Sequence, residues 1–198
     1  MNKDIMICGV GGQGTVLASK IIASAAMAEG NPVHSAETIG MAQRGGSVTS
    51  HVRIGQDAFS PLIPYGHADL ILAFEPAEAV RNLKYLHPEG MVIVNTTAMK
   101  PVNESLKPSG YEGETMTAYL KEKCCCLPVN AEAVSAPFGS TKFFNIIMLG
   151  IAAGSGRLGI GAETIAREME KRIPERFLEA NRKAFETGYR IGRESQSI

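Results

Sequence analysis

The glycine-rich segment Gly9-Val10-Gly11-Gly12-Gln13-Gly14 is the first part of the chain whose residue types suggest chemistry. It fits the pattern G-x-G-x-x-G between a predicted strand and a predicted helix, where free backbone N–H groups and the helix dipole favour an anion. Gln13 adds a side-chain amide that both donates and accepts hydrogen bonds. We therefore expect a bound polar or phosphorylated group to contact these residues: Gly9, Gly11, Gly12, Gln13 and Gly14.

Three interpretations of this glycine turn stay open from the residues alone. The first is a dinucleotide fingerprint, in which Glu37 would be the ribose-binding acid. The second is a cradle for another phosphorylated group or anion, and the third is tight strand–helix packing or contact with a partner subunit. A Walker A motif is excluded because Thr15 follows Gly14 with no lysine in the motif, so ATP hydrolysis through a P-loop is not expected.

A second candidate lies in the stretch GMAQRGGSVTSHVRIG at positions 40–55. Arg44 carries a planar, permanently charged guanidinium, and the two glycines after it let the backbone turn sharply or approach another group closely. A plain surface turn would explain the glycines but not the polar residues before them, and loops at the end of a sheet commonly carry function. The residues expected to contact a partner or cofactor are Gln43, Arg44, Gly45, Gly46 and Ser47.

The chain shows no catalytic machinery of its own. It contains neither G-x-S-x-G nor H-E-x-x-H, and none of its four histidines stands at an informative spacing from a carboxylate or a cysteine. Glu75 comes at the carboxyl end of a predicted strand, where α/β folds bind ligands, so a ligand-binding and a structural role are both open for it. Glu78 lies at the start of a predicted helix, where a carboxylate stabilises the helix dipole. We predict no catalytic residue.

The four cysteines predict neither a disulfide framework nor a metal site. Cys8 lies in an apolar run typical of a buried strand, and residues 124–126 are consecutive cysteines, whose side chains would alternate between the two faces of a strand. No C-x-x-C spacing occurs, which argues against a zinc or iron–sulfur site on this chain alone. We interpret them as small apolar residues in strands.

Composition narrows the class of protein. The 198 residues suit a single domain spanning 1–198, and 20 basic residues balance 20 acidic ones, so no net positive charge would attract nucleic acid. The N-terminal apolar run is too short for a signal sequence, and no stretch of 18 apolar residues would span a membrane. We expect a cytoplasmic protein that binds neither nucleic acid nor membranes.

Hydrophobic periodicity predicts an α/β fold. Nearly continuous apolar strands alternate with helices, which is typical of a mostly parallel, Rossmann-like twisted sheet with helices on both faces, here followed by a helical C-terminal segment. The predicted strands are 4–10, 32–37, 48–54, 69–75, 91–95 and 124–129. The predicted helices are 15–28, 76 to about 88, 116–123, 143–153, 162–172 and 175–192. The residues expected to share one face of the last helix are Phe177, Ala180, Ala184 and Ile191.

Three stretches together resemble the gamma-type subunit or domain of the 2-oxoacid:ferredoxin oxidoreductases, and in particular the beta subunit of the indolepyruvate-type enzymes. The stretches are ICGVGGQGTVLASKII, SAETIGMAQRGGSVTSHVRIG and FSPLIPYGHADLILAFEPAEAVRNLKYLHPEGMVIVNT. The joint occurrence of GVGGQG, MAQRGGSV and LAFEP is specific, whereas any one of them alone is not. The resemblance runs from about residue 5 to 97, with a weaker echo at 145–150, and residues 97–140 match nothing that we can assign.

The resemblance implies an enzyme that oxidatively decarboxylates a 2-oxoacid on thiamine diphosphate, passes electrons through 4Fe–4S clusters to ferredoxin and delivers the acyl group to coenzyme A. It places thiamine diphosphate and the clusters on a larger alpha subunit, so this chain would carry no cofactor alone and be inactive without its partner. Gln43 and Arg44 would then reach toward that partner or toward the phosphates of coenzyme A. The turn at 9–14 would hold an anionic portion of a ligand.

Other functions stay open from the sequence. The chain could be a stand-alone dinucleotide- or phosphate-binding module, or a purely structural scaffold subunit. It could also be the gamma subunit of an oxidoreductase for pyruvate, 2-oxoglutarate or 2-oxoisovalerate. The motifs do not distinguish these substrates, because the pocket that selects the substrate side chain could lie on the partner.

Overall fold

The structure is a computed structural model that describes residues 1–40, 46–99 and 110–196. Its strands are β1 Lys3–Val10, β2 Val33–Ile39, β3 Ser47–Ile54, β4 Ala68–Ala73, β5 Leu86–Asn95 and β6 Cys125–Val129. Its α-helices are α1 Thr15–Ala28, α2 Pro76–Asn82, α3 Gly113–Lys123, α4 Ala131–Ser135, α5 Phe144–Gly154, α6 Ala162–Glu170 and α7 Leu178–Ser195. Short 3₁₀ turns at Leu83–Tyr85, Ala136–Phe138, Thr141–Phe143 and Glu175–Phe177 adjoin several of these helices.

The six strands form one mixed sheet in the order β2-β3-β1-β4-β5-β6. Strands β1, β4, β5 and β6 pair in parallel, whereas β3 is antiparallel to both of its neighbours, β1 and β2. Five strands therefore run in one direction and β3 runs against them. The predicted α/β class with a mostly parallel sheet is confirmed, with β3 as the exception.

Helices cover both faces of the sheet, as predicted. Alternate residues of β1 point to opposite sides: Ile5 and Ile7 join the larger core cluster, which includes residues of α1, α5, α6 and α7. Met6 and Cys8 join a smaller cluster with residues of α2 and α3. Since parallel strands inside the sheet are apolar toward both clusters, they read in the sequence as continuous apolar runs.

The second predicted helix is too long. Helix α2 begins at Pro76, as expected from the fixed φ of proline at a first helical position, but it ends at Asn82. Leu86 falls inside the predicted helix, but it instead begins β5 and pairs with Ala68 of β4. The register then shifts between Ala68 and Leu70. Strand pairing across this irregularity, which accommodates Pro88, lengthens β5 by five residues relative to the prediction.

The most apolar helix, α5, is enclosed by the core. All of its residues except Asn145 are buried. No single helix in the described ranges combines the length and the apolar composition needed to cross a membrane. The segments Ala131–Phe138 and Thr141–Gly154 meet that test only as a pair, and they are bent by 110° relative to each other.

The predicted inward face of the last helix is partly wrong. Ala184 is fully buried, but Phe177 precedes α7 and is 45% exposed. The contact with α5 is made instead through Gly188 and Gly192 on α7. Glycines carry little weight in a search for apolar stripes, so hydrophobic periodicity alone places this face incorrectly.

Helices α5 and α7 touch backbone to backbone. A Cβ atom built on Gly188 would lie 2.0 Å from the carbonyl oxygen of Ile147, and one built on Gly150 would lie 2.2 Å from that of Phe185. Gly154 and Gly192 meet the facing backbone in the same way. Each helix therefore presents two glycines spaced four residues apart, which is the spacing of one helical face. This contact anchors the C-terminal helix to the core.

His51 of β3 is a buried histidine on the face opposite α1. It is 4% exposed, its Nδ1 accepts a hydrogen bond of 3.1 Å from the backbone N–H of Ile63, and its ring meets Tyr85 edge-on at 5.5 Å. Burial, and secondarily the charge of Arg53, lower the pKa of His51 from its ordinary value of 6.5. His51 is therefore neutral in the folded chain at neutral pH.

We expect this histidine to make the protein less stable below about pH 6.5. A histidine with a lowered pKa binds its proton more readily when unfolded, so its contribution is complete above the unfolded pKa and is lost as the pH falls toward the folded one. The free energy of unfolding in urea, measured between pH 7.5 and 5.5, should therefore decline by at most about 1.4 kcal/mol per pH unit. His51→Asn should flatten this decline, while His34→Asn at an exposed site should not. An unchanged slope in His51→Asn would contradict the assignment.

Candidate functional site

The glycine turn follows β1 and opens α1 at the carboxyl edge of the parallel strands. Gly12 has a φ of 98° and Gly14, the N-cap residue, has a φ of 88°, a conformation that side chains other than glycine rarely adopt. No side chain caps the N-terminus of α1 within the described residues, so the first N–H groups of the helix stay available to an outside acceptor. These features are compatible with an anion cradle, and the binding of an anion here stays a prediction.

Gln13 stabilises the turn from inside. Its Oε1 accepts a hydrogen bond of 2.8 Å from the N–H of Val10, and its Nε2 donates one of 3.0 Å to the carbonyl of Phe74, the residue after β4. Gly9 lies tightly beside it, since a Cβ at that position would lie 2.7 Å from Gln13 Oε1 and 2.9 Å from Thr15 Cγ2, so these side chains would have to shift. The amide that we expected to face a ligand is therefore used mainly to tie β1 to β4. A direct contact of Gln13 with a ligand stays a prediction.

A cleft of about 550 Å³ opens beside this turn. It lies at the carboxyl ends of β1, β5 and β6, which is the usual place for a ligand in an open α/β sheet. The residues that line it are Gly12, Gln13, Gly14, Asn95, Thr97, Ala98, Met99, Ala131, Glu132, Thr141, Lys142, Phe144 and Asn145. Three of the predicted site residues, Gly12, Gln13 and Gly14, therefore share one wall of this cleft.

Sequence reasoning missed three polar residues of the cleft: Asn95, Lys142 and Asn145. Asn95 ends a buried strand, which is a signal that could have found it. Asn145 lies so close to Gly14 that a Cβ there would come within 2.6 Å of Asn145 Nδ2, and it falls in the 145–150 echo noted in the sequence. Lys142 has no such local signal, because only the fold brings this exposed residue to the same cleft as the glycine turn.

Asn95 and Gln13 converge on one carbonyl. The Nδ2 of Asn95 donates hydrogen bonds of 3.1 Å to the carbonyls of Phe74 and Thr97, and its Oδ1 accepts one of 3.0 Å from the N–H of Thr97. Since Gln13 Nε2 also donates to Phe74, the ends of β1, β4 and β5 are held in a fixed relation. The floor of the cleft is therefore preorganised, which reduces the entropy lost when a ligand binds.

The second predicted motif is described in part. Gln43, Arg44 and Gly45 lie outside the described residues. Gly46 lies against the first motif, because its carbonyl accepts a hydrogen bond of 2.9 Å from the N–H of Gly11. Ser47 begins β3 and is exposed. The two glycine motifs, more than 30 residues apart in the chain, are thus joined at Gly11 and Gly46.

Glu37 does not occupy the place of a ribose-binding acid. Its strand, β2, is separated from β1 by β3, whereas in a dinucleotide fold these two strands are neighbours. The carboxylate accepts a hydrogen bond of 3.2 Å from Ser19 Oγ of α1. Glu37 therefore contacts the helix that follows the turn, and the dinucleotide interpretation loses the acid on which it depended.

Glu75 and Glu78 are buried carboxylates beside the same edge of the sheet. Glu75 caps α2 by accepting the N–H of Glu78 at 3.0 Å, and it also accepts the hydroxyl of Tyr111. Burial, followed by the hydrogen bond and charge of Glu75, raises the pKa of Tyr111. Burial, followed by the charges of Glu78 and Glu75, likewise raises the pKa of Cys8. Both groups are held protonated, so neither is prepared to act as a nucleophile or base.

The consecutive cysteines lie at and near an edge strand. Cys125 is exposed on β6, whereas Cys124 and Cys126 are partly buried against the smaller core cluster. Burial, and secondarily the neighbouring Cys124, raises the pKa of Cys126 to about 12, and burial also raises that of Cys124. A protonated thiol is a poor metal ligand. No cluster of three or more histidine, cysteine or acidic side chains suited to a metal occurs in the described ranges.

A family model described as pyruvate ferredoxin/flavodoxin oxidoreductase matches residues 4–191. The chain belongs to this family. The resemblance seen in the motifs is thereby confirmed, and it extends beyond them, because the match includes residues 97–140, which the motifs left unassigned.

Two relatives match this oxidoreductase-family chain over nearly its full length, and a third matches about half of it. It is 39% identical over 197 residues to "Indolepyruvate oxidoreductase subunit IorB" of Methanothermobacter thermautotrophicus, covering 98% of this chain and 100% of that protein. It is 39% identical over 191 residues to the protein of the same name in Archaeoglobus fulgidus, covering 96% and 94%. The "Pyruvate/ketoisovalerate oxidoreductases common subunit gamma" of Pyrococcus furiosus is 36% identical over 107 residues, covering 52% and 58%.

Solved structures share the fold. The gamma subunit of a keto/oxoacid ferredoxin oxidoreductase from Geobacter sulfurreducens superposes with a TM-score of 0.70 at 24% identity, covering 97% of this chain and 99% of that one. A 2-oxoglutarate:ferredoxin oxidoreductase from Magnetococcus marinus, solved with 2-oxoglutarate, coenzyme A and succinyl-CoA bound, gives a TM-score of 0.74 at 18% identity. That match covers 98% of this chain and 31% of the longer one.

Proposed function

We propose that the chain is one subunit of a thiamine-dependent ferredoxin oxidoreductase that acts on indolepyruvate or a closely related arylpyruvate. It would be the subunit that carries no iron–sulfur cluster. The complex would convert a 2-oxoacid, coenzyme A and two oxidised ferredoxins into an acyl-CoA, carbon dioxide, a proton and two reduced ferredoxins. The observation that carries this proposal is the end-to-end match to IorB proteins at 39% identity, compared with a match to a pyruvate-type gamma subunit over about half the chain.

We propose the cofactors for the partner because the described residues show no set of ligands for an iron–sulfur cluster and the resemblance places both cofactors on a larger subunit. Burial keeps Cys124 and Cys126 protonated, and the described residues contain no cluster suited to a metal. The groups that we assign to the larger alpha subunit are thiamine diphosphate and the 4Fe–4S clusters. The partial coverage of the longer Magnetococcus marinus chain supports a larger partner, since there this fold makes up about a third of one polypeptide.

Within the complex, the proposed role of this chain is to position the acyl acceptor. The N-terminus of α1, the glycine turn and the ammonium group of Lys142 together favour an anion in the cleft, such as a phosphate of coenzyme A. Arg44 would add a bidentate contact to a phosphate. The wall formed by this chain would also exclude water from the reacting acyl group, which favours transfer to the thiol over hydrolysis.

The four thiols are free, which suits a reducing compartment. A reaction that uses ferredoxin and coenzyme A also belongs there. We therefore propose that the protein acts in the cytoplasm.

Reconstitution tests the proposal. The purified chain, the purified alpha partner and their mixture are assayed for viologen reduction with indolepyruvate and coenzyme A. We expect activity in the mixture only, with pyruvate and 2-oxoglutarate as poorer substrates. Full activity of the partner alone would mean that this chain is only a structural scaffold. Turnover by this chain alone, or tight binding of NADH by it, would contradict the proposal.

A further inference from the structure

A buried carboxylate lies beside the point where the two glycine motifs meet. Glu78 on α2 is 1% exposed, and its Oε2 accepts a hydrogen bond of 2.6 Å from Oγ of Ser47. Its Oε1 pairs with Arg81, whose own side chain is mostly exposed. The helix-dipole role that the sequence predicts for Glu78 requires neither burial nor contact with another element.

The residue that Glu78 binds is tied in two further directions. The carbonyl of Ser47 accepts the N–H of Gly40 at 2.9 Å, at the end of β2. The carbonyl of the preceding residue, Gly46, accepts the N–H of Gly11 in the glycine turn at 2.9 Å. The two-residue step Gly46–Ser47 is therefore fixed to β2, to the turn after β1 and, through Glu78, to α2.

The free-energy cost of burying the Glu78 carboxylate suggests that its hydrogen bond to Ser47 has a role beyond packing. A carboxylate loses hydration when it is buried and destabilises the fold unless its partners compensate. Among described residues, the side chain of Glu78 bonds to Arg81 on its own helix and to Ser47 on β3. The bond from Ser47 therefore connects α2 to another element. An apolar side chain would pack α2 without this cost, but it would not hold the hydroxyl of Ser47. A charge-assisted O–H···O⁻ bond is both stronger and more directional than a packing contact.

We propose that Glu78 is a positioning residue that holds Gly46 and Ser47, at the start of β3, against the glycine turn, so that the turn keeps the shape that binds its ligand. This inference rests on the proposed function, because that ligand is the acyl acceptor. Glu78 acts through Ser47 and Gly46 and does not touch the ligand itself. Its loss would leave the backbone hydrogen bonds of Gly46 and Ser47 in place but would loosen their position against the turn, without removing a group from the turn itself.

The positioning is tested first without any ligand, by hydrogen–deuterium exchange of the full chain. Glu78→Gln and Ser47→Ala should each speed exchange about tenfold in peptides covering 9–14 and 46–50. Combining them should add little, since both act on the same hydrogen bond: Glu78→Gln removes the charge of its acceptor and Ser47→Ala removes its donor. The matched control is Glu168→Gln, a buried carboxylate on α6 paired with Lys171, which should leave these peptides unchanged. Faster exchange confined to 76–82 would show that Glu78 only stabilises its own helix and would overturn the proposal.

Kinetics of the reconstituted complex supply the second readout. Both variants should raise the KM for coenzyme A about tenfold and leave kcat within about twofold. If Arg44→Ala raises this KM while Glu78→Gln and Ser47→Ala do not, the positioning role is overturned and the proposed function stands. If exchange at 9–14 rises as expected but none of the three variants changes the KM, the positioning role stands and coenzyme A is the wrong ligand.

Discussion

Replacing Gly188 by alanine is expected to lower the free energy of unfolding by about 2–4 kcal/mol. The added Cβ would lie 2.0 Å from the carbonyl oxygen of Ile147, so α5 and α7 must separate and lose their packing along the whole contact. The direction of this change in stability distinguishes a close helix contact from an open site, because replacing glycine by alanine at an unhindered helical position stabilises a protein by up to about 1 kcal/mol. Urea unfolding followed by circular dichroism measures the difference.

Two further variants make this test specific. Glu186→Ala on the exposed part of the same helix should change the unfolding free energy by no more than about 0.5 kcal/mol. Gly154→Ala should act like Gly188→Ala, since its Cβ would lie 2.1 Å from the carbonyl oxygen of Tyr189. The double variant should cost less than the sum, because helices that have already separated no longer clash. A Gly188→Ala protein as stable as the original would mean that these helices do not touch through their backbones.

Replacing Arg44 by alanine in the reconstituted complex is expected to raise the KM for coenzyme A roughly 10- to 100-fold. A bidentate bond from a guanidinium to a phosphate is worth about 1.5–3 kcal/mol, and its loss affects binding of the acceptor more than the chemical step. The KM of the Arg44→Lys complex should lie between those of the original and the Arg44→Ala complexes, since lysine keeps the charge and loses the planar guanidinium. Steady-state viologen reduction at varied coenzyme A measures the effect.

An exposed arginine far from the cleft controls for the loss of charge. Arg167→Ala on α6 should leave the KM for coenzyme A unchanged. Assembly with the partner is followed by size-exclusion chromatography, so that a weaker complex is not mistaken for weaker binding of the acceptor. An Arg44→Ala complex with normal assembly and normal coenzyme A dependence would rule out this role for the arginine.

Most elements of this fold could be predicted because their signals are local. The apolar runs of β1, β4 and β5 reflect burial on both faces, and Pro76 marks the start of α2. The glycine turn was recognised from G-x-G-x-x-G between a strand and a helix, and its positive φ angles at Gly12 and Gly14 explain why glycine stands there. The family, too, followed from three motifs without any structure.

Other features have sequence signals that an analysis of hydrophobic periodicity does not take into account. The glycines of α5 and α7 are spaced four residues apart on each helix, and this spacing predicts a close helix–helix contact as well as an apolar stripe does. The first residues of β5 were predicted as helix, because Leu86 continues the apolar spacing of α2. There a tertiary pairing with Ala68 overrode the local pattern.

The α/β class, the glycine turn and the family can be inferred without a structure, because each depends on residues that are neighbours along the chain. Three features are visible only in the folded chain: β3 lies between β2 and β1, the carbonyl of Gly46 accepts the N–H of Gly11, and the amide of Gln13 binds within the turn. Strand order depends on pairing between distant segments, and apolar strands of similar pattern can pair in several orders. Asn95, Lys142 and Asn145 became one site in the same way, since they come from three places in the chain and meet only at the carboxyl edge of the sheet.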